Sequence, residues 1–449
     1  MKAKMTDSDQ AVSGSAPKIL LADTNWWANS ARLAIGLAEV GCEVSAICRT
    51  PNHPLLKTRA VHRVFPYEAF APVSALRAAI EELQPDLIVP ACDRSVVHLH
   101  ELYADAQVQG EAGQKMRALI ERSLGEPASY SVVSSRYMLL SVAEESGVRV
   151  PRTRLVTRHA ALDEWRRKEA FPWVLKADRT WGGNGVRIVR SEEEAEQSLQ
   201  QLAQMSRFTR AVKRLIINRD PFWLRDWRVG SARGIIAQAY VAGKPSNCTT
   251  VCWKGKVLAA IAVQVVRSEG ASGPASIVRI VEGGEMLDAA RRIAARLNLS
   301  GFAGFDFVEE TGTGKAYLIE MNPRIAPPCH LRLRNGRDLP GSLWAQLAER
   351  PAPTPLREPG TDLVAYFPIG VQNEIPPGCF RDIPSGEPEL VAEMLNPFPD
   401  RTFFFRFAQF ITHTPGSSST SAVSQVGAND KLMSVGEERA VESERDQPV

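Results

Sequence analysis

The sequence lacks long apolar runs and clusters of basic residues, and each absence excludes a class of protein. No apolar stretch approaches the roughly 18 residues that a membrane helix needs, and the polar N-terminal segment has no apolar signal core. The net charge is only +3 over 449 residues, without the basic face that nucleic-acid binding requires. We therefore expect no membrane or nucleic-acid partner, and a cytoplasmic location.

Paired cysteines and covalent nucleophiles are also missing. The seven cysteines are scattered, and the closest pair, Cys248 and Cys252, has no second pair or histidine at zinc spacing. We interpret them as reduced, buried thiols. No Ser-His-Asp or Cys-His arrangement is evident. With 44% apolar and 23% charged residues, the composition is that of a soluble globular protein.

The first part of the chain alternates short apolar strands with helical patterns, which predicts a parallel, Rossmann-like sheet. The strands and helices are predicted at residues 18–23, 30–40, 43–49, 74–83 and 86–92. The first strand is followed by Asp23-Thr-Asn-Trp-Trp27 instead of G-x-G-x-x-G, so a dinucleotide site is not expected. Asp93 and Arg94 follow a strand's carboxyl end, which indicates either a ligand site or a helix start with a surface arginine.

Three polar residues interrupt two apolar strands around the turn Thr311-Gly-Thr-Gly314. Glu320 and Asn322 are two residues apart and share one face of their strand, and Asp306 on the partner strand can face them. Buried oxygen-bearing side chains need a cation or strong hydrogen bonds to offset their desolvation. Because no His or Cys lies nearby, this oxygen set favours Mg²⁺ with phosphates as its remaining ligands.

A lysine followed by a glycine-rich loop indicates a phosphate site. Lys176 ends an apolar strand, and the loop W-G-G-N-G that follows contains Gly182, Gly183 and Gly185. Glycine backbone N–H groups can turn toward an anion, and the lysine supplies a fixed positive charge. A plain tight hairpin would explain the loop alone, but the oxygen-rich hairpin downstream favours phosphate binding.

These motifs together resemble the ATP-grasp superfamily, whose nucleotide site ends on Asp/Glu and then Glu-x-Asn, often followed by Pro-Arg. Asp306, Glu320, Asn322 and Arg324 stand at those positions. The resemblance implies a cofactor set of ATP and two Mg²⁺ (or Mn²⁺) ions, with the first three residues as metal ligands. It implies catalytic roles for Lys176 on the phosphates and for Arg324 near a reacting acyl phosphate.

The resemblance also implies the remaining nucleotide contacts. Gln238 and Val241 would read the adenine edge, with Ala239 contributing backbone only, and Arg136 would contact the phosphates. Asn247 stands where the family often has an acidic ribose ligand. An ordinary buried strand and an exposed helical arginine remain the alternative interpretations.

The predicted architecture is multidomain, with an α/β sheet followed by an α+β, two-lobed ATP-grasp fold that contains antiparallel sheets. The small lobe is assigned to residues 129–240 and the metal-binding lobe to residues 241–346. The other predicted segments are a disordered start at 1–16, the Rossmann-like domain at 17–128, a small β-rich unit at 360–412 and a disordered tail at 416–449.

The predicted reaction is ATP-dependent ligation, in which a carboxylate becomes an acyl phosphate and is attacked by an amine or another nucleophile. Two alternatives stay open, a non-catalytic ATP-binding module and a bicarbonate-activating enzyme similar to carbamoyl phosphate synthetase. Small-molecule carboxylates and amines are the expected partners, and a homodimer is considered. Arg267 and Arg279 flank a polar loop that either holds a substrate carboxylate or forms salt bridges. His330 is interpreted as a structural residue, with a role as a proton carrier as the alternative.

Overall fold

The structure is a computed structural model, and every residue it describes falls within one compact unit. The described residues are 15–395, without residues 50, 52, 109, 157–158, 178–184, 205–233, 270–272, 356–359 and 373. In this part of the chain, no helix has the length and apolar character needed to cross a membrane.

The N-terminal sheet is parallel, as the alternating pattern predicted. Its strands are β1 (Lys18–Asp23), β2 (Glu43–Cys48), β3 (Arg63–Pro66) and β4 (Leu87–Pro90), in the order β3-β2-β1-β4. Its helices are α1 (Ala28–Glu39), α2 (Pro72–Leu83), α3 (Asp93–Asp105) and α4 (Gly110–Leu124). The strand order reverses between β1 and β4, and in such sheets the carboxyl ends at this point border a crevice.

The middle sheet is antiparallel and carries the predicted phosphate lysine. Its strands are β5 (Thr153–Val156), β6 (Trp173–Ala177), β7 (Val186–Val189) and β8 (Ile235–Ala239), in the order β5-β8-β6-β7. The helices of this region are α5 (Tyr130–Val133), α6 (Arg136–Glu145), α7 (His159–Lys168) and α8 (Glu192–Gln204). Helix α6 begins at a Ser135 cap, whose Oγ accepts from the Met138 backbone N–H at 3.3 Å.

The large sheet contains the predicted metal hairpin. Its first five strands are β9 (Gly243–Trp253), β10 (Lys256–Ser268), β11 (Ala275–Val281), β12 (Gly301–Glu310) and β13 (Ala316–Asn322). Lys254 and Gly255 join β9 to β10 with φ of 46° and 79°, a tight hairpin turn of the kind the sequence predicted. Helix α9 (Gly284–Leu297) covers one face of this sheet.

The chain after residue 330 returns to the same large sheet. Two short strands, β14 (Arg332–Leu333) and β15 (Arg337–Asp338), pair with each other, and helix α10 (Leu339–Ala348) follows. Strands β16 (Leu363–Tyr366) and β17 (Phe380–Asp382) then extend the sheet, and helix α11 (Pro388–Leu395) ends the described chain. Within the described residues this sheet has seven strands in the order β13-β12-β9-β10-β11-β16-β17. The domain limits given above stay predictions.

One hydrophobic core joins the N-terminal sheet to the large sheet. It contains Leu33 and Leu37 of α1 together with Val251 of β9, Ile261 of β10 and Val364 of β16. A second core fills the opposite face of the large sheet, between the sheet and helices α6 and α9. The arrangement confirms the predicted mixture of a parallel α/β sheet with antiparallel α+β layers, and it places β12 and β13 beside the N-terminal sheet.

Candidate functional site

The hairpin β12–β13 separates polar from apolar side chains as the sequence predicted. Asp306 lies directly opposite Glu320, and Asn322 lies opposite Gly304. Phe305 and Phe307, on either side of Asp306 in β12, point to the other face. They are 0% and 1% exposed and lie in the core beneath α6 and α9. The apolar side chains therefore fix the hairpin, and the oxygen-bearing side chains share its opposite face.

Asp306 is held by two asparagine amides. Asn247 on β9 donates through Nδ2 to Oδ1 of Asp306 at 2.7 Å, and Asn322 donates through Nδ2 to Oδ2 at 2.9 Å. Burial and the neighbouring Glu320 carboxylate raise the pKa of Asp306 to about 6, while the two amide hydrogen bonds oppose that rise. The burial of Asp306 beside a second carboxylate thus creates an environment that favours an added positive charge.

Two cationic side chains from other elements lie at the same carboxylates. Arg136, the first residue of α6, donates through Nη2 to Oε1 of Glu320 at 2.7 Å and through Nη1 to the carbonyl of Ala177 at 3.3 Å. Lys176 on β6 is buried, and burial together with the charge of Arg136 lowers its pKa to about 8. The carboxylates of Glu320 and Asp306 oppose this decrease.

The middle sheet presents Lys176 and Gln238 on one face. Lys176 lies opposite Ile236, two residues before Gln238, and side chains two apart point the same way. Gln238 is 2% exposed and donates through Nε2 to Thr153 Oγ1 at 3.1 Å. Ala239 ends β8, and Val241 lies two residues beyond the strand. Their roles at adenine stay predictions.

The glycine-rich loop falls largely outside the described residues. Gly182 and Gly183 belong to the segment 178–184, which is not described. Gly185 is described and accepts from the Ala177 N–H through its carbonyl at 3.0 Å, which closes the β6–β7 pair. The phosphate role of this loop stays a prediction.

Arg324 connects the hairpin to the N-terminal sheet. Its Nε donates to Asp93 Oδ2 at 2.9 Å and its Nη2 donates to Asn322 Oδ1 at 3.1 Å. The guanidinium carbon lies 5.2 Å from the centre of the Trp27 ring. Asp93 is the first residue of α3, at the carboxyl end of β4, and Arg94 beside it is buried with 6% exposure. The alternative of a surface arginine at position 94 is therefore wrong.

The other sequence candidates have contacts of their own. Arg267 donates to the carbonyls of Glu374 at 2.6 Å and Gly370 at 3.2 Å, which ties β10 to the chain around β16. Arg279 pairs with the Asp362 carboxylate on the exposed side of β11. Their proposed substrate role stays a prediction. His330 donates through Nε2 to Asp382 Oδ2, 2.7 Å away, in the interior.

Two contacts of the site were not anticipated from the sequence. Thr249 donates through Oγ1 to Asn247 Oδ1 at 2.7 Å, and Asp93 reaches Arg324 from the N-terminal sheet. The Asn-x-Thr spacing on one strand was a readable signal, because it places both side chains on one face. No local pattern predicted the contact between Asp93 and Arg324, because these two residues are 231 apart in sequence.

The site's chemistry fits a hard divalent cation. Asp306, Glu320 and the amide of Asn322 offer oxygen atoms from one sheet face, which is the ligand type that Mg²⁺ and Mn²⁺ prefer. The raised pKa of Asp306 and the Arg136–Glu320 ion pair both show that this face attracts positive charge. The neighbouring Lys176 and Arg136 could meet an anionic group of a nucleotide at the same place.

Comparison with known proteins identifies relatives of the part of the chain that contains this site. Residues 133–328 match the family described as the ATP-grasp domain. Over 257 residues the chain is 24% identical to the large chain of carbamoyl phosphate synthase from Thermotoga sp. (strain RQ2), a stretch that covers 57% of this chain and 21% of that protein. The chain thus spans about a fifth of the length of the curated relatives it matches.

Solved structures show a similar fold. The ADP complex of PurK, N5-carboxyaminoimidazole ribonucleotide synthetase, is similar with a TM-score of 0.53 and 16% identity, over 76% of this chain and 78% of that chain. The biotin carboxylase domain of 2-oxoglutarate carboxylase from Hydrogenobacter thermophilus, with MgADP, ADP and bicarbonate, has a TM-score of 0.52 and 16% identity. That likeness covers 76% of this chain and 72% of the other.

Proposed function

Because residues 133–328 match the ATP-grasp domain family, we propose that the protein is an ATP-dependent ligase that activates a carboxylate as an acyl phosphate. A nucleophile, in our proposal an amine, then displaces the phosphate, so the products are ADP, inorganic phosphate and the ligated product. The observation that carries the proposal is that two cationic side chains, Lys176 of the middle sheet and Arg136 of α6, lie close to two carboxylates of the large sheet. These carboxylates belong to Asp306 and Glu320.

The proposed roles follow from charge and position. Lys176 and Arg136 would bind the phosphates of ATP, because both are cationic and adjoin the carboxylates. Asp306, Glu320 and Asn322 would hold the divalent cations, which neutralise phosphate charge when bound. We assign two ions to this set. With these groups in place, positioning and electrostatics suffice for the reaction and no covalent nucleophile is needed.

Arg324 is proposed to hold the reacting carboxyl group. Its side chain is fixed between Asn322 and Asp93, so the guanidinium cannot swing away as charge develops on the acyl phosphate. The contacts of Arg324 with Asp93, after β4, and with Trp27, after β1, bring the carboxyl ends of both strands close to this guanidinium. We propose that this crevice borders the substrate.

The test is a search for ADP release followed by isotope tracing. Purified protein with MgATP is screened against small carboxylates and amines, with bicarbonate among the acids because one structural neighbour was solved with that anion. For an active acid, ¹⁸O in its carboxyl group should appear in the released phosphate. Production of AMP and pyrophosphate, or phosphate free of substrate oxygen, would rule out the acyl phosphate.

A matched pair of variants separates catalysis from folding. Glu320→Gln keeps the size of the side chain but removes one charge that the cations require, so ADP release should fall more than tenfold while the circular dichroism spectrum stays that of the folded wild type. Asp288→Asn, a carboxylate change in an exposed pair with Arg291 on α9, should leave ADP release unchanged. Wild-type turnover in Glu320→Gln would contradict the assignment of the site.

A further inference from the structure

Five polar side chains form a continuous hydrogen-bonded chain across the large sheet. Thr249 donates to Asn247, Asn247 and Asn322 both donate to Asp306, and Arg324 donates to Asn322. Four of the five lie on one face of adjacent strands β9, β12 and β13, with Asn247 directly opposite Asp306 and Thr249 opposite Gly304. The proposed reaction gives a role to Asp306 but none to Thr249.

The direction of each bond in this chain is fixed by chemistry. Arginine can only donate and an ionised carboxylate can only accept, so the Asn322 amide must turn its oxygen to Arg324 and its nitrogen to Asp306. The same argument at Asn247 turns its nitrogen to Asp306, and its oxygen then faces the Thr249 hydroxyl. The orientation of both amides follows from the partners and does not depend on distances alone.

Thr249 adds a second anchor to this arrangement. Its Oγ1 lies 2.7 Å from Asn247 Oδ1 and 3.0 Å from the carbonyl of Pro327. The single hydroxyl hydrogen can serve only one of these acceptors at a time. The residue is 0% exposed, so its hydroxyl depends on these two acceptors and Asn247 cannot rotate its amide without losing one of them.

We propose that Asn247 is a positioning residue that, oriented by Thr249, fixes the Asp306 carboxylate for cation binding. This inference rests on the proposed function, because it assumes that Asp306 binds a cation with the nucleotide. A carboxylate has two oxygens and about four acceptor positions, so the two amide bonds leave lone pairs for a metal. Groups that hydrogen-bond to metal ligands typically contribute about 10–100-fold to metal affinity.

This role differs from the ribose contact that family position suggests for Asn247. A ribose ligand must present its polar atoms to the sugar hydroxyls. The Asn247 amide instead has its nitrogen on Asp306 and its oxygen on Thr249, both within 2.7 Å. The two roles give opposite predictions for nucleotide binding in the absence of metal, and this difference makes the proposal testable.

The experiment measures binding of a non-hydrolysable ATP analogue (the β,γ-imido compound) by calorimetry, with Mn²⁺ and with EDTA. Mn²⁺ affinity in the ternary complex is read separately from its paramagnetic resonance signal. We expect Asn247→Ala to weaken Mn²⁺-dependent binding about 10–100-fold and to leave binding in EDTA unchanged. Thr249→Val, which keeps Asn247 but frees its amide, should give a smaller loss of the same kind.

Ser246→Ala is the matched control. Ser246 precedes Asn247 on β9, points to the opposite face and bonds Glu309 at 3.0 Å, so its loss removes one hydrogen bond without touching Asp306. Its Mn²⁺-dependent binding should equal that of the wild type. If Asn247→Ala does not fold, Thr249→Val carries the test alone, because its volume and burial are nearly conserved.

Three outcomes overturn the proposal. Equal Mn²⁺-dependent binding in wild type, Asn247→Ala and Thr249→Val would show that Asp306 needs no positioning. Equal losses with Mn²⁺ and with EDTA, together with a lost preference for ATP over 2′-deoxy-ATP, would assign Asn247 to ribose. A wild-type protein that binds neither Mn²⁺ nor the analogue would remove the proposed function together with this inference, whereas the first two outcomes leave the proposed function intact.

Discussion

At the residue scale, Lys176 shows how burial and neighbouring charge decide what one side chain can do. An exposed lysine stays protonated far above neutral pH, but burial and Arg136 lower the pKa of Lys176 to about 8. The two carboxylates at the site, Asp306 and Glu320, act in the opposite direction. The carboxylates that we assign to the cations therefore favour the ammonium form of Lys176.

We predict that affinity for MgATP falls as pH rises through about 8, because deprotonated Lys176 no longer offers a charge to the phosphates. A charge-assisted hydrogen bond contributes about 1.5–3 kcal/mol, so the loss should exceed about tenfold. The affinity is complete below that pKa and lost above it, which calorimetry between pH 7 and 9.5 measures. Lys176→Met is the control and should bind weakly at every pH. A flat wild-type profile would contradict a phosphate role for Lys176.

Site residues could be predicted where a polar side chain occurs within an otherwise apolar strand. Asp306, Glu320 and Asn322 interrupt apolar strands, and alternation alone placed them on one face. The hydrogen bond from Asn247 to Asp306 could not be predicted, because these residues are 59 apart and no local pattern encodes the register of β9 against β12. The sequence therefore predicted which residues form the site better than it predicted the hydrogen bonds between them.

At the element scale, helix α6 and strand β13 meet through one ion pair. Arg136 begins the helix and Glu320 lies on the strand, with side chains that are 8% and 30% exposed. A cation that binds Glu320 has to compete with this arginine, which already neutralises the carboxylate. Arg136 therefore influences how tightly Glu320 can bind a metal ion, in addition to any contact that the arginine makes with phosphate.

We predict that Arg136→Met binds Mn²⁺ more tightly than the wild type when nucleotide is absent, because the mutation removes both the competing ion pair and a repelling charge. The same variant should bind ATP more weakly if the arginine contacts phosphate. Paramagnetic resonance titration of Mn²⁺, followed by calorimetry with ATP, measures the two effects. Arg149→Met, which breaks an exposed pair with Glu285, is the control and should change neither. Weaker Mn²⁺ binding in Arg136→Met would contradict the competition.

Whole elements were predictable where periodicity was strong and local. The hairpin β12–β13, helix α9 and the parallel sheet were all visible in the sequence. Strands β16 and β17 contain only 4 and 3 residues, and they follow a Pro-rich segment, so no local signal showed that they join the large sheet. Such pairing is decided by the open edge of β11, which lies far away in sequence.

At the scale of the whole molecule, a buried charge cluster ties three regions together. Asp382 on β17 accepts from Arg32 of α1 and lies 2.7 Å from Nε2 of His330. Burial acts to raise the pKa of Asp382, but the charges and hydrogen bonds of His330 and Arg32 lower it overall. The carboxylate is thus better stabilised in the folded protein than in the unfolded chain.

We predict that Asp382→Asn lowers the free energy of unfolding by about 3–5 kcal/mol at neutral pH, because it leaves the buried Arg32 without its partner. A depressed carboxylate pKa stabilises the fold above the ordinary value of 3.8 and loses that effect as pH falls, so the two proteins should converge in acid. Denaturant unfolding across pH measures both effects. Asp362→Asn, from an exposed pair, should cost at most about 1 kcal/mol. Similar losses in the two variants would contradict the importance of the buried cluster.

The contacts between residues 133–328 and the rest of the chain affect how a gene for this protein can recombine. Residues 133–328 are the segment shared with the ATP-grasp domain family, yet Arg324 in this segment pairs with Asp93 before it, and the edge of β11 is covered by β16 after it. A crossover that transplanted the shared segment alone would separate the arginine from its carboxylate and expose a strand edge to aggregation. We therefore expect the N-terminal sheet, the shared segment and the last two strands to be inherited together.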